Sequence, residues 1–376
     1  MNLKIKKTIS QFSIVLFVLS MLLCCNLGKG RQPLSLEKLK HTSSAVLADA
    51  YRNYLKHLNL STSAFEASGA GSMLDIESGF KQDLNQDPNL LYFPPTLWQM
   101  YAVTRDKKWE ALAEKLENLI VQNDAVDSSV DPDAYLTMLY HAYLHSRNLK
   151  SLTLLLKALS EIISPAENAF SLDSLPRLSE KMAMEKLLIN EVLFFASRET
   201  GDPVYRNFAL QNSELVYNNF FLADSLMVGE GSLLQVSEIR KLAIGFYGFS
   251  YLFKETGMEK YQTLSHRLAD EFIRIFSHAE NDSGKETEGC INSEKDLVTQ
   301  ALVAVTLFDL GEMPENSYRE ASSQIFQHIL AALSQDSNAT EPQSSFVLFY
   351  YLFEYEKRLH VLDKRGVLAI NSHDTI

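Results

Sequence analysis

Between residues 96 and 359, apolar positions come in paired stretches. The first member of each pair is apolar nearly all round. The second carries its apolar residues on one stripe, and three or four polar or glycine-containing residues separate the two. The clearest case is the apolar run 187–196, the turn Thr200-Gly201-Asp202-Pro203, and a one-sided stretch reaching Phe221. A helix apolar on every side must be buried on every side, whereas its partner needs only one covered face. Each pair therefore predicts a hairpin of one inner and one outer helix.

The first hairpin is expected over 96–103, turn 104–107 and 108–122, with Trp109, Leu112, Leu116, Leu119 and Ile120 on the stripe. Others follow at 133–144 with 149–163, at 240–254 with 260–276, and at 297–308 with 317–333. A last apolar helix, 346–359, reads as the inner member of a sixth unit, and its partner is expected in the amphipathic stretch 36–58 at the other end of the chain. Successive turns lie about 42 to 56 residues apart, the range of stacked supersecondary units. An open solenoid needs polar caps at its ends, whereas a closed ring pairs first with last. Bulky residues on several faces of the inner helices (Leu97, Trp98, Met100 and Tyr101; Phe246, Tyr247, Phe249 and Tyr251) favour the ring. The expected fold is all-α, an (α/α)6 toroid over 35–362 with a tail at 363–376; the polar stretch 61–89 has no assigned element. Links between hairpins (164–179, 222–239, 277–295) are long and fall where the inner helices start, which places a functional site at that end.

Composition adds limits. With 46% apolar residues among 376, the chain can build a large core. Its net charge of -12 is spread along the sequence, which argues against nucleic acid as a partner, because phosphate binding needs a basic surface. Lys4, Lys6 and Lys7 precede an apolar run, 12–23, shorter than the roughly 20 residues of a membrane span. Residues 1–25 therefore read as a signal peptide and 26–34 as a linker, and the protein is expected to be exported. Leu22-Leu23-Cys24-Cys25-Asn26 resembles a bacterial lipoprotein processing site, which implies a periplasmic or lipid-anchored protein whose membrane attachment is through an N-terminal lipid only; plain signal cleavage is the alternative. Cys290 is the one other cysteine, so no internal disulfide is expected in the mature fold.

Three segments, Phe93-Pro94-Pro95-Thr96-Leu97-Trp98-Gln99-Met100-Tyr101, Leu193 to Pro203, and Arg240-Lys241-Leu242-Ala243-Ile244-Gly245-Phe246-Tyr247, resemble the unsaturated glucuronyl hydrolases of glycoside hydrolase family 88. That resemblance implies an (α/α)6 barrel, no metal and no cofactor, and a substrate oligosaccharide ending in a 4,5-unsaturated uronic acid left by a lyase. The implied reaction is hydration of an enol ether, which carboxyl groups of tuned pKa can catalyse. Matched position by position, it implies Asp133 and Glu185 as the catalytic pair, and Arg240, Asp296, Trp98 and Tyr135 as substrate contacts. Glu185 replaces an aspartate and is one methylene longer, and a displacement of about 1 Å can cost a hundredfold in rate. Beside Arg240, the residues Lys241, Leu242 and Ile244 depart from the family pattern and remove a tryptophan expected to stack on sugar.

Each residue also has a structural reading. Asp133, Glu185 and Asp296 lie at helix starts, where acids cap free N–H groups and complement the helix dipole. Arg240 can fork onto a uronate or form an ordinary ion pair. Glu191 reads as the partner of an arginine or lysine, and His141 with His145 as a satisfied pair rather than half a metal site. Two functions follow: an exported unsaturated uronyl hydrolase, or a catalytically inactive relative that binds glycan or serves as a structural surface protein. A helical-repeat scaffold for another protein is a third.

Overall fold

A computed structural model of the chain describes residues 88–122, 132–163, 184–222, 236–281, 296–311, 317–335 and 342–364. The chain divides into two units, Met1–Ser35 and Leu36–Ile376, and the described residues belong to the second. The signal segment, the helix expected at 36–58 and most of the long links lie outside them.

Among the described residues, eleven α-helices follow one another: α1 Phe93–Thr104, α2 Lys107–Gln122, α3 Pro132–Ser146, α4 Leu149–Ile163, α5 Asn190–Thr200, α6 Pro203–Val216, α7 Val236–Thr256, α8 Glu259–Asn281, α9 Leu297–Leu310, α10 Ser317–Gln335 and α11 Pro342–Lys364. Their ends follow from local chemistry. Asp202 caps α6 by accepting from the Val204 N–H, with Pro203 at the first helical position, where its missing N–H costs nothing. Gly201 ends α5 in the left-handed conformation, at φ 72°. A π-helical turn, Tyr217–Phe221, extends α6.

The odd-numbered helices form the inner layer. α1 touches α3, α3 touches α5, α5 touches α7, α7 touches α9, α9 touches α11, and α11 returns to α1. The ring is therefore closed, as an (α/α)6 toroid requires. Outer helices α2, α4, α6, α8 and α10 each pack on the inner helix preceding them. Apolarity tracks this division: α9 buries twelve of its residues, whereas α8 is strongly one-sided.

Two differences from the sequence reading matter. Helix α11 runs to Lys364, past the expected limit at 362. The third inner helix begins only at Asn190, because 184–189 forms a tight turn in which Leu187 N–H bonds Met184 O and Leu188 N–H bonds Glu185 O, both at 2.9 Å. Close approach of α7 accompanies this turn. A Cβ on Gly248 would lie 2.6 Å from Leu187 Cβ and 3.3 Å from the Leu187 carbonyl oxygen, so only glycine permits the contact.

Candidate functional site

Inner helices that all run one way bring their N-terminal ends to one mouth. A cavity of about 280 Å³ opens there, lined by side chains from around the ring. Tyr92 comes from the 3-10 turn ahead of α1, Asp133 from the first turn of α3, and Glu185 and Leu188 from the turn ahead of α5. Arg240 and Ile244 come from α7, Val298, Thr299 and Leu302 from α9, and Val347 and Tyr351 from α11. Asp133, Glu185 and Arg240, separated by up to 107 residues in sequence, thus share one cavity. Its wall is otherwise largely aliphatic, and its charged lining is two carboxyls and one guanidinium.

Tyr351 registers two of these charges. Burial pushes its hydroxyl pKa up; the Arg240 charge pulls it down and the Asp133 charge pushes it further up. The phenol is held protonated and can donate a hydrogen bond toward the mouth.

Below the mouth, the axis is filled with polar side chains rather than left hollow. Tyr140 of α3 and Tyr247 of α7 donate to Glu191 of α5 at 3.0 and 3.2 Å. Burial, and then the Glu354 charge, hold the Glu191 carboxyl above its ordinary pKa. Glu354 of α11 behaves oppositely. Burial disfavours its ionisation, but Lys357 and Arg358 outweigh that and hold the carboxylate below its ordinary range. Gln99 of α1 donates to Glu354, and Arg358 forks onto Asp309 of α9 at 2.6 and 2.9 Å. His141 meets the Tyr350 hydroxyl at 2.9 Å, and burial depresses its imidazole to about 3, so it is neutral.

No protein-family model matches the chain, and no curated protein does. Solved structures do. An aspartate-to-asparagine variant of unsaturated glucuronyl hydrolase from Streptococcus agalactiae superposes with TM-score 0.54 at 16% identity, over 87% of this chain and 96% of that one. A second variant of that enzyme gives TM-score 0.50 at 14% identity, over 71% and 80%. A UGL variant with the oligosaccharide dGlcA-Glc-Rha-Glc gives 0.52 at 15%, over 76% and 88%. The six-hairpin fold is that of the unsaturated glucuronyl hydrolases.

Within that unsaturated glucuronyl hydrolase fold, the residues expected from sequence separate into two groups. Asp133, Glu185 and Arg240 meet in the cavity. Trp98, Tyr135 and Asp296 do not line it. Trp98 is 2% exposed, turned outward between the layers, where it stacks on His145 at 4.6 Å and donates to Glu117. Tyr135 is half-buried against the core. Asp296 caps α9, accepting from the Thr299 N–H at 3.1 Å and the Thr299 hydroxyl at 2.6 Å, so it acts on the cavity only by fixing Thr299. Glu191 is bonded by two tyrosines rather than directly by an arginine or lysine. Tyr92, Thr299 and Tyr351 are the polar lining residues that sequence reasoning missed, together with the aliphatic wall; for Tyr351, a Tyr350-Tyr351 pair interrupting an otherwise apolar run on α11 was the available signal. Among the described residues, no group of three His, Cys, Asp or Glu could hold a metal.

Proposed function

We propose that this protein is an exported carbohydrate-active enzyme that hydrates the 4,5-unsaturated uronic acid at the end of lyase-generated oligosaccharides. The observation that carries the reading is the shared cavity: two carboxyls and one guanidinium, from three helices, at the mouth of an unsaturated glucuronyl hydrolase fold. In this reaction a carboxylic acid gives its proton to one carbon of the double bond. Water adds at the other carbon while a carboxylate takes the water's proton, and the hydrated ring collapses with loss of the attached sugar. Asp133 and Glu185 fill these two roles, and Arg240 binds the uronate carboxylate. Tyr351, protonated beside them, supplies a further donor.

The assay is loss of the double-bond ultraviolet absorbance of unsaturated disaccharides from lyase-digested chondroitin or heparin. Turnover that falls at least a hundredfold in Asp133→Asn supports the reading; no turnover by the unaltered protein on any such substrate overturns it. The aliphatic wall of Leu188, Ile244, Val298, Leu302 and Val347 favours a second reading, an inactive relative that binds glycan. Binding of the same disaccharides without turnover would select it.

A further inference from the structure

The opposite rim of the toroid, where each inner helix turns into its outer partner, divides by how the chain makes the turn. In four hairpins the first turn residue donates its N–H to the carbonyl four residues back: Arg105 to Tyr101 at 2.9 Å, Arg147 to Tyr143 at 3.0 Å, Gly201 to Ser197 at 3.0 Å and Gly257 to Phe253 at 2.8 Å. All four have left-handed φ, at 60°, 55°, 72° and 66°. Glycine suits this conformation, whereas an L side chain adopts it only against its Cβ. The third and fourth hairpins use glycine. The first and second, which pack against each other, hold arginine there.

These two adjacent turns carry Arg105, Lys107, Lys108, Arg147 and Lys150 exposed, against two exposed acids: Asp106, which pairs with Lys108 at 2.9 Å, and Glu199 of α5, which accepts from the hydroxyl of Tyr143 beneath Arg147. Such a cluster contrasts with a chain of net charge -12. Between Arg147 and Lys150 projects Leu149, 71% exposed and the most exposed large apolar residue among those described. Cations around a protruding leucine match one kind of surface, anionic headgroups over acyl chains. A sulfated or uronate-rich glycan would answer the charge but leave the leucine in water. No described helix is long and apolar enough to cross a membrane, so contact would be at the surface.

We propose that the rim formed by the first two hairpin turns docks on an anionic phospholipid surface, at the end of the toroid away from the cavity. The cations supply attraction and Leu149 enters the interface. This is a contact separate from any lipid carried at the N-terminus.

The test uses the full chain with phosphatidylcholine vesicles, with and without phosphatidylglycerol. Emission from Leu149→Trp, taken as the difference from the unaltered chain, should shift to the blue and be quenched by brominated lipid only when phosphatidylglycerol is present. Leu222→Trp, exposed at the cavity end, should show neither effect. Because both readings are local, N-terminal tethering alone cannot produce the difference. Arg147→Glu with Lys150→Glu should weaken binding to anionic vesicles about tenfold or more, and Lys107→Glu with Lys108→Glu should do the same from the neighbouring turn. Equal responses from the two tryptophan variants, no response from Leu149→Trp, or affinity unmoved by both charge reversals would overturn the proposal. Binding to heparin without a vesicle response would assign the rim to a polyanionic glycan instead.

Discussion

The mouth and the axis of the toroid use the same residue types to opposite ends. At the mouth, Asp133, Glu185 and Arg240 line a water-accessible cavity among aliphatic neighbours. A few turns deeper, carboxyls, tyrosines and cations are joined across the seams of the ring: Arg358 to Asp309 links α11 with α9, Gln99 to Glu354 links α1 with α11, and Tyr140 and Tyr247 join α3 and α7 through Glu191. Water makes the difference. An ion pair open to solvent contributes little to stability, whereas removing one member of a shielded pair leaves a charge with no hydration to fall back on. The axis holds the ring, and the mouth keeps groups that a ligand can reach.

The sharpest test of this division is Arg358→Met. It removes the guanidinium from half-buried Asp309, while Glu354 keeps Lys357 at 3.0 Å, and is expected to lower unfolding free energy by about 2 kcal/mol in urea titration. Asp133→Asn should change that quantity by less than about 0.5 kcal/mol while abolishing turnover. Equal losses would erase the distinction between the two depths. Gly248→Ala probes the joint between them, since its methyl must displace the turn that carries Glu185. A cost of about 1–3 kcal/mol is expected, with turnover per folded molecule reduced as well; loss of stability with full turnover would show that the turn does not set Glu185.

Glu117 offers a third environment, buried between the layers away from both. Burial pushes its carboxyl up to about 8, against the opposing hydrogen bond from Trp98. Between its ordinary 4.5 and about 8 it is protonated when folded and ionised when unfolded. Its contribution is therefore full at low pH and is lost as pH rises through that window. Glu117→Gln should flatten the fall in thermal midpoint between about pH 5 and 8, and stabilise the protein by about 1 kcal/mol at the upper end. An unchanged slope would place the titration elsewhere.

Hairpins were readable because inner and outer helices differ in periodicity and the turns between them are short; the expected span 149–163 coincides with α4 end to end. Closure could be argued from the unpartnered last helix, and the contact of α11 with α1 bears it out. Residues 187–189, read as the start of the third inner helix, belong instead to the turn ahead of it, because an apolar run reports burial, not helicity. Charged groups at helix starts were legible, since Asp133, Glu185 and Arg240 each stand where an inner helix opens. Orientation was not. Trp98 lies on an inner helix near the mouth in sequence, yet its side chain faces Glu117 on the outer layer. Nor do apolar letters reveal whether Ile244 and Leu302 pack in a core or wall a cavity, because that depends on which helices end beside them.

Because α11 seals the gap between α9 and α1, the flanks of those two helices have their final neighbour only when the C-terminal stretch of the chain is present. During synthesis the nascent protein must therefore carry two uncovered apolar seams until residues 342–364 have emerged, unlike a linear repeat array that can consolidate unit by unit. A chain stopped before Pro342 would be left with sticky edges rather than a smaller version of the same molecule.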